Sequence, residues 1–198
     1  MKIVPTKITN FKRSKAELEL FWLFCLAVAG KNSDNTARCI NKLAQRFKRE
    51  KLSPFEYLRK WKHDLHNILV TNCVGQYTRI EQAIMGSIDL DLKTCSLEDL
   101  LAVHGVGNKT ARFFLLHSRE NCEHVVLDIH ILRYLRERWK QDVPDNTPQN
   151  NKQYKEIADK VAYFIKTDFP YLTMAEADLL IWTKGSGRLE NDESINQL

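Results

Sequence analysis

A single acidic residue, Asp128, interrupts an apolar stretch that begins with Val125-Val126-Leu127. A carboxylate in such surroundings can stabilise a developing positive charge or activate an incoming nucleophile, because a low dielectric strengthens its field. Nineteen residues earlier, Lys109 stands at the start of a predicted helix. A lysine attacks a carbon atom only as the neutral amine, and burial lowers the pKa of an amine toward that state. Asp128 and Lys109 are therefore two residues whose side chains could do chemistry of this kind.

The segment before Lys109 is glycine-rich and predicts a tight turn between two helices. A short helix begins at Ser96 and stops at His104-Gly105, the turn Gly105-Val106-Gly107 follows, and the next helix begins at Asn108. Glycine permits left-handed backbone angles and a close approach by a partner. Backbone amides at the start of the second helix favour an anion such as a phosphate group. The turn indicates either a phosphate contact or no more than a tight connection between helices.

Each catalytic candidate also has an ordinary structural interpretation. Asp is a favoured N-cap residue, and Asp128 directly precedes a predicted helix. Lys109, taken alone, fits a phosphate contact or a solvated side chain. What favours catalysis is that the acid, the glycine turn and the lysine occur together.

Residues 97–136 resemble the helix-hairpin-helix DNA glycosylase superfamily. Members carry the pattern L-x-x-x-x-G-V-G-x-K-T-A, which here begins at Leu100 and ends at Ala111. After a short interval they carry D-x-H-x-x-R, which in this chain runs from Asp128 to Arg133. The family usually approaches its aspartate through a segment rich in Gly and Pro, whereas Asn121-Cys122-Glu123-His124 stands here.

The resemblance implies an enzyme that extrudes a nucleotide from the duplex and cleaves the bond between its sugar and its base. It assigns Asp128 to stabilising positive charge on the sugar. It assigns Lys109 to a Schiff base, which would add strand cleavage by β-elimination (AP lyase activity). With a solvated Lys109, Asp128 would instead activate water and an abasic site would remain. The residues expected to contact DNA are Gly105, Val106, Gly107, Asn108, Thr110, His130 and Arg133.

The last predicted helix carries a second resemblance. The carboxyl-terminal cysteine quartet of the endonuclease III branch is missing, which places the chain beside the cluster-free branch that contains the 8-oxoguanine glycosylases. Residues 175–182 are similar to the terminal helix of the archaeal 8-oxoguanine enzymes, in which an Asp and a Trp one turn apart line the base pocket. Asp178 and Trp182 take those positions and share one helix face. Their ordinary interpretation is an exposed Asp and a core Trp.

The residues leave the identity of the base open. The first predicted helix resembles the pocket helix of the same branch, but it contains no Gln or similar side chain that would recognise a base by hydrogen bonds. The terminal-helix resemblance favours 8-oxoguanine. The alternative is a hypermodified cytosine, such as glucosylated hydroxymethylcytosine in phage DNA, whose removal would be an antiviral defence.

Composition is compatible with this chemistry. The chain has 198 residues, 43% of them hydrophobic, and a net charge of +5, which permits a phosphate partner without demanding one. Five cysteines without a close pair argue for reduced thiols and exclude a four-cysteine zinc or iron–sulfur site. We therefore expect a cytoplasmic, nucleoid-associated monomer that binds double-stranded DNA with a modified or damaged base. We expect no metal, no small-molecule cofactor and no membrane.

Helix signals run along the chain and predict an all-α fold of two helical lobes with the hairpin at about 97–118 and a base pocket between the lobes. We expect one glycosylase domain over 1–183 and a polar tail over 184–198. Capping boxes at Ser14 and Ser53 open two helices, and the second carries one apolar stripe that includes Trp61 as a core residue. Further helices are predicted over 36–50, 76–86, 108–118, 128–140, 151–167 and 174–183, with a loop over 142–151.

Two other classes of protein fit part of the pattern. A non-catalytic helix-hairpin-helix DNA-binding module explains Gly105, Gly107 and the basic excess, but not the embedded acid at Asp128. An all-helical interaction protein would make the pairing of Lys109 and Asp128 a coincidence.

Overall fold

The computed structural model describes residues 2–188 and confirms an all-helical architecture. Within that range there are ten α-helices, two single-turn 3-10 helices and no β-strand. In chain order the α-helices are α1 (Lys15–Val28), α2 (Ser33–Glu50), α3 (Pro54–Lys60), α4 (Leu65–Thr71), α5 (Tyr77–Ser87), α6 (Leu97–Leu101), α7 (Asn108–Ser118), α8 (Ile129–Trp139), α9 (Asn151–Asp168) and α10 (Met174–Gly185). None of these helices combines the length and the apolar character that crossing a bilayer requires.

α1 forms the centre of the first lobe. Ser14 and Glu17 close a capping box at its start, as the sequence predicts. Every residue from Leu18 to Ala27 is buried, including Glu19, whose carboxylate accepts the backbone N–H of Phe55 at 3.0 Å. The apolar run is therefore a core helix, against which α2, α3, α5 and α7 pack.

One predicted helix is divided in two. The apolar stripe after Ser53 predicts a continuous helix, but a 3-10 turn (Lys62–Asp64) separates α3 from α4. The tighter turn changes the register of the chain, so that Leu65 and Leu69 return to the core while Trp61 stays 41% exposed. The prediction of a core residue at Trp61 is wrong.

Two clusters of buried apolar side chains define the two lobes. The first includes residues of α1 to α6 and of α7 as far as Leu115, and the second begins at Leu116 and includes residues of α8, α9 and α10. Phe113 and Cys122 pack against both clusters. α7 thus runs from one lobe into the other, and its two ends belong to different cores.

The chain before α8 is extended and is held by a side chain. The hydroxyl of Tyr154, in α9, donates to Val125 O at 3.0 Å and accepts from the N–H of Leu127 at 2.9 Å. Tyr154 is fully buried, and burial raises the pKa of its phenol to about 12, so the hydroxyl keeps its proton. The Tyr154 hydroxyl therefore satisfies backbone groups that would otherwise pair with a neighbouring strand. It thereby fixes the position of Asp128, which directly follows Leu127.

The other predicted elements agree closely with the structure. α7 has the predicted bounds, and the predicted loop separates α8 from α9. α10 continues to Gly185, and residues 189–198 of the predicted polar tail lie outside the described residues.

We expect Tyr154→Phe to lower the free energy of unfolding by about 1–3 kcal/mol, because a buried N–H and a buried carbonyl lose their partner. Urea denaturation measures the loss. Tyr163→Phe is the matched control in the same helix, because Tyr163 is 67% exposed, and it should change stability by less than about 0.5 kcal/mol. Equal losses in the two variants would contradict the structural role of the Tyr154 hydroxyl.

Candidate active site

A cavity of about 520 Å³ lies where the two lobes meet. Its wall is formed by α1 and the start of α2 from the first lobe, and by α7, the start of α8 and α10. The predicted site residues in the wall are Lys109, Thr110, Asp128, His130, Asp178 and Trp182. The predicted residues outside it are Gly105, Val106, Gly107, Asn108 and Arg133. The structure therefore brings the candidate catalytic pair and both predicted pocket residues to one cavity.

The hairpin turn between α6 and α7 is built around Gly105. Its φ of +84° lies in the left-handed region, and a Cβ there would lie 3.0 Å from Arg79 Cγ and 3.1 Å from Arg79 O. Arg79 also holds the turn by donating to Gly105 O at 2.8 Å and to Leu26 O at 2.6 Å. Gly107 differs, because its φ is −105° and a Cβ there would meet no atom within 4 Å. The fold therefore requires glycine at position 105, whereas a larger side chain at position 107 would contact nothing within the described residues.

The start of α7 has no side-chain cap. Gly107 is the N-cap residue and offers no side-chain acceptor, and the first turn contains no acidic residue. The backbone amides at this end keep their capacity to bind an external anion. The side chain of Asn108 is used inside the protein, since it donates to Asn151 Oδ1 at 2.6 Å and accepts from Arg112. Asn108 thus ties the hairpin to α9.

Lys109 lies in the first turn of α7 and lines the cavity. Among the described residues it has no ion-pair partner. Burial raises the pKa of Asp178, and the charge of Lys109 acts across the cavity to offset a small part of that rise. The Lys109 side chain is therefore available to a molecule in the cavity.

Asp128 combines its two predicted roles in one carboxylate. It is the N-cap of α8, and its Oδ1 accepts the backbone N–H groups of His130 and Ile131, both at 2.9 Å. Its Oδ2 has no hydrogen-bond partner among the described residues and remains accessible to solvent, although Asp128 as a whole is only 9% exposed. The cap therefore leaves one oxygen for the cavity, which Asp128 lines.

Asp178 uses its two oxygens in the same way. Oδ2 lies 3.1 Å from Nε2 of His117, and Oδ1 has no partner among residues 2–188. Burial raises the pKa of the Asp178 carboxyl, and the charge of Asp128 adds to the rise. The hydrogen bond from His117 and the charge of Lys109 oppose it. Asp178 is a buried residue and not the exposed acid of the ordinary interpretation.

Trp182 lies one helical turn after Asp178 and is half-buried in the wall. The guanidinium of Arg188 covers one face of its ring at 4.4 Å from the ring centroid. Arg188 also donates to Asp34 Oδ2 at 2.7 Å and to Ser33 Oγ at 3.1 Å. Arg188 thus joins the end of α10 to the start of α2 across the cavity.

The remaining predicted contacts occupy different environments. His130 lines the cavity and packs tightly against Gly185. A Cβ added to residue 185 would lie 2.6 Å from Nδ1 of His130. Thr110 is buried, and Val106 packs against the first core. Arg133 is exposed on α8 and does not line the cavity.

Three basic residues of the cavity were not predicted from the sequence. His117 follows an apolar run on α7 and gives no local signal beyond being a histidine in that run. Lys31 donates to Val74 O, and burial together with the charge of Arg79 lowers its pKa. Arg188 lies in the segment that the sequence predicts to be a polar tail.

No protein-family model and no curated protein matches this chain. A solved structure does resemble it: the 8-oxoguanine glycosylase/lyase of Methanocaldococcus jannaschii in complex with a 15mer DNA containing 8-oxoguanine. The TM-score is 0.66 at 19% sequence identity, over 92% of this chain and 87% of that chain. The chain has a DNA glycosylase fold. The two-lobed, all-α architecture predicted from the sequence is thus confirmed.

The two glycines of the hairpin should respond differently to alanine. We expect Gly105→Ala to lower the free energy of unfolding by about 1–3 kcal/mol, because the side chain meets Arg79 and the backbone is left-handed. Gly107→Ala should stay within about 0.5 kcal/mol of the native protein. Thermal and urea denaturation of the two variants measure the difference, and a large loss in Gly107→Ala would contradict the space seen at that position.

Proposed function

We propose that this protein is a DNA glycosylase that extrudes an altered base from double-stranded DNA and cleaves its C1′–N bond. The observation that carries the proposal is that Lys109 and Asp128 line one cavity of a DNA glycosylase fold. An extruded nucleotide suits a cavity between lobes, because catalytic groups cannot reach a base inside the duplex. A non-catalytic DNA-binding module would have no use for a carboxylate with a free oxygen in such a place.

Asp128 is the proposed carboxylate for the bond-breaking step. Cleavage of the C1′–N bond builds positive charge on the sugar, and a fixed negative charge nearby stabilises it. The cap of α8 holds Oδ1 and leaves Oδ2 for this task. Because the carboxylate is oriented before substrate arrives, little reorganisation accompanies the reaction.

We expect Asp128→Asn to lower base release by a factor of about a hundred or more, while duplex binding survives. Asn is also a favoured N-cap, so α8 and the fold should remain intact. Single-turnover release from a duplex that the native protein processes gives the rate, and Asp159→Asn on the exposed face of α9 is the control. Native-like release by Asp128→Asn would remove this residue from the mechanism.

Lys109 is the proposed nucleophile. Its neutral amine would attack C1′ as the base departs with the bonding electrons, and loss of a proton and ring opening would give a Schiff base. β-Elimination from that intermediate would then release the 3′ phosphate and cleave the strand. The alternative is attack by water that Asp128 activates, which leaves an abasic site.

Borohydride trapping separates the two routes, and the cavity contains a matched control in its second lysine, Lys31. We expect a covalent protein–DNA adduct with native protein and with Lys31→Gln, and no detectable adduct with Lys109→Gln. An adduct that depends on Lys31 would make that residue the nucleophile. Base release without any adduct would mean that water attacks and that Lys109 only positions the DNA.

The hairpin is the proposed phosphate contact. The uncapped amides of α7 and the free space at Gly107 allow a phosphate to approach the backbone. Gly107→Ala, which should fold normally, is therefore expected to weaken binding to any duplex. The remaining binding should fall linearly with salt on a log–log scale.

Among altered bases we propose 8-oxoguanine first. It carries an N7–H donor that guanine lacks, and Oδ1 of Asp178 is an acceptor without a partner among the described residues. Trp182 offers an aromatic face, and stacking on such a face contributes about 1–3 kcal/mol of binding free energy per base with little selectivity among bases. Arg188 covers one face of that ring, so a base must use the other face or displace the guanidinium. The DNA in the structural neighbour contains 8-oxoguanine, which supports this order.

The size of the cavity favours a second candidate, a cytosine with a bulky hydroxylated substituent. A volume of about 520 Å³ lies in the range of about 300–1,000 Å³ that holds drug-sized ligands, and one base needs less. Lys31, Ser33 and Arg188 add polar groups to the wall, which could serve the hydroxyls of a glucosylated hydroxymethylcytosine. An enzyme with that substrate would act in defence against phage DNA.

A panel of duplexes tests both candidates. It contains 8-oxoguanine, hydroxymethylcytosine or glucosylated hydroxymethylcytosine at one site and is treated with native protein, Asp178→Asn and Arg188→Ala. We expect native protein to release 8-oxoguanine, and Asp178→Asn to slow that release about tenfold or more, because an acceptor is replaced in part by a donor. Release of the glucosylated base alone, with a loss in Arg188→Ala, would favour the second candidate. Duplex binding without release of any base would favour the non-catalytic module.

A further inference from the structure

His117 lies in the last turn of α7, is fully buried and lines the cavity. Its Nε2 is 3.1 Å from Oδ2 of Asp178, and its Nδ1 is 2.8 Å from Oγ1 of Thr9. Both ring nitrogens are used inside the protein, so neither is left for a substrate. We propose that His117 is a positioning residue of the base pocket, which holds Asp178 so that Oδ1 is the acceptor offered to the extruded base. This role rests on the proposed function.

The imidazole is held from several directions. The Phe113 ring packs against it in a T-shaped arrangement, with ring centroids 4.8 Å apart and an interplanar angle of 67°. The segment before α1 docks on the end of α7, where the Asn10 N–H and Arg13 Nη1 donate to His117 O at 3.1 and 2.8 Å. This docking brings Thr9 to the ring. The amino-terminal segment is therefore part of the structure that fixes Asp178.

The two contacts of the ring fit the hydrogen-bond pattern of a neutral imidazole, which has one N–H donor and one acceptor nitrogen. Opposite the Asp178 carboxylate we expect Nε2 to carry the hydrogen and Nδ1 to accept from the Thr9 hydroxyl. This pattern satisfies Oδ2 and opposes the burial that raises the pKa of Asp178. Without His117 the carboxylate would lose that partner and would be free to rotate or to bind a proton, so a base would meet a different set of donors and acceptors.

The hydrogen-bond pattern is tested without substrate by ¹⁵N NMR of the histidine rings. We expect His117 to be the tautomer protonated at Nε2 in native protein. Its ring shifts should change in Asp178→Asn and in Thr9→Val, which removes the hydroxyl with little change of shape. His63→Leu, at an exposed position, should leave the His117 signals in place. A ring protonated at Nδ1, or signals that do not respond to Asp178→Asn, would overturn the proposal.

Kinetics separate positioning from a merely structural role. His117→Gln keeps an amide N–H to donate to Asp178, whereas His117→Leu does not. On the base that native protein releases, we expect kcat/KM to fall roughly tenfold in His117→Leu and to stay within about threefold in His117→Gln. In the Asp178→Asn background, His117→Leu should cause no further loss. The positioning role would be overturned if His117→Leu lowered kcat/KM further in the Asp178→Asn background. It would also be overturned if both His117 variants lost kcat/KM equally, in proportion to the fall in their melting temperatures.

The two proposals fail in distinguishable ways. If native protein releases no base from any duplex, the proposed function is wrong, and the ¹⁵N spectra alone decide whether His117 positions Asp178. If release is normal but independent of His117, the glycosylase proposal stands and the positioning role is wrong.

Discussion

Two buried carboxylates must be kept in one cavity, and much of the surrounding structure serves that constraint. Asp128 is 9% exposed and Asp178 is 7% exposed. A buried charge without partners costs several kcal/mol, so each carboxylate needs hydrogen bonds from the protein. Two helix amides bind one oxygen of Asp128, and the imidazole of His117 binds one oxygen of Asp178. Each residue is stabilised through one oxygen, and its other oxygen has no hydrogen-bond partner among the described residues.

α7 relates the two ends of this site to each other. Lys109 lies in its first turn and His117 in its last, so a single rigid element sets the separation of their backbone positions. The two lobes meet along the same helix, because its residues up to Leu115 belong to one core and Leu116 to the other. A change in the angle between the lobes would therefore move Asp128 and Asp178 relative to Lys109. The packing of both cores on α7 is what keeps the cavity in shape.

The two glycines of the hairpin differ in what the fold requires of them. Gly105 is needed by the protein itself, because its backbone is left-handed and Arg79 fills the space beside it. Gly107 meets nothing within the described structure. α7 also lacks a side-chain N-cap, as α4 and α5 do, whereas the other seven α-helices have one. An uncapped helix end and an unfilled glycine at the same place are what a site for an external phosphate needs.

The sequence by itself determined the local elements and the candidate pair. Capping boxes at Ser14 and Ser53, the glycine turn and the bounds of α7 depend on residues a few positions apart, so local patterns encode them. The sequence also placed Lys109 and Asp128 in one motif. The break near Trp61 was not predictable, because an apolar stripe looks the same in one helix as in two, and packing against the core selects between them.

Only the tertiary structure decided which polar groups complete the cavity. Thr9 meets His117 across 108 residues of chain, and Arg188 meets Asp34 across 154. No local spacing encodes such contacts. They form because the packing of two cores brings distant segments together, and buried polar atoms then take the partners that packing provides.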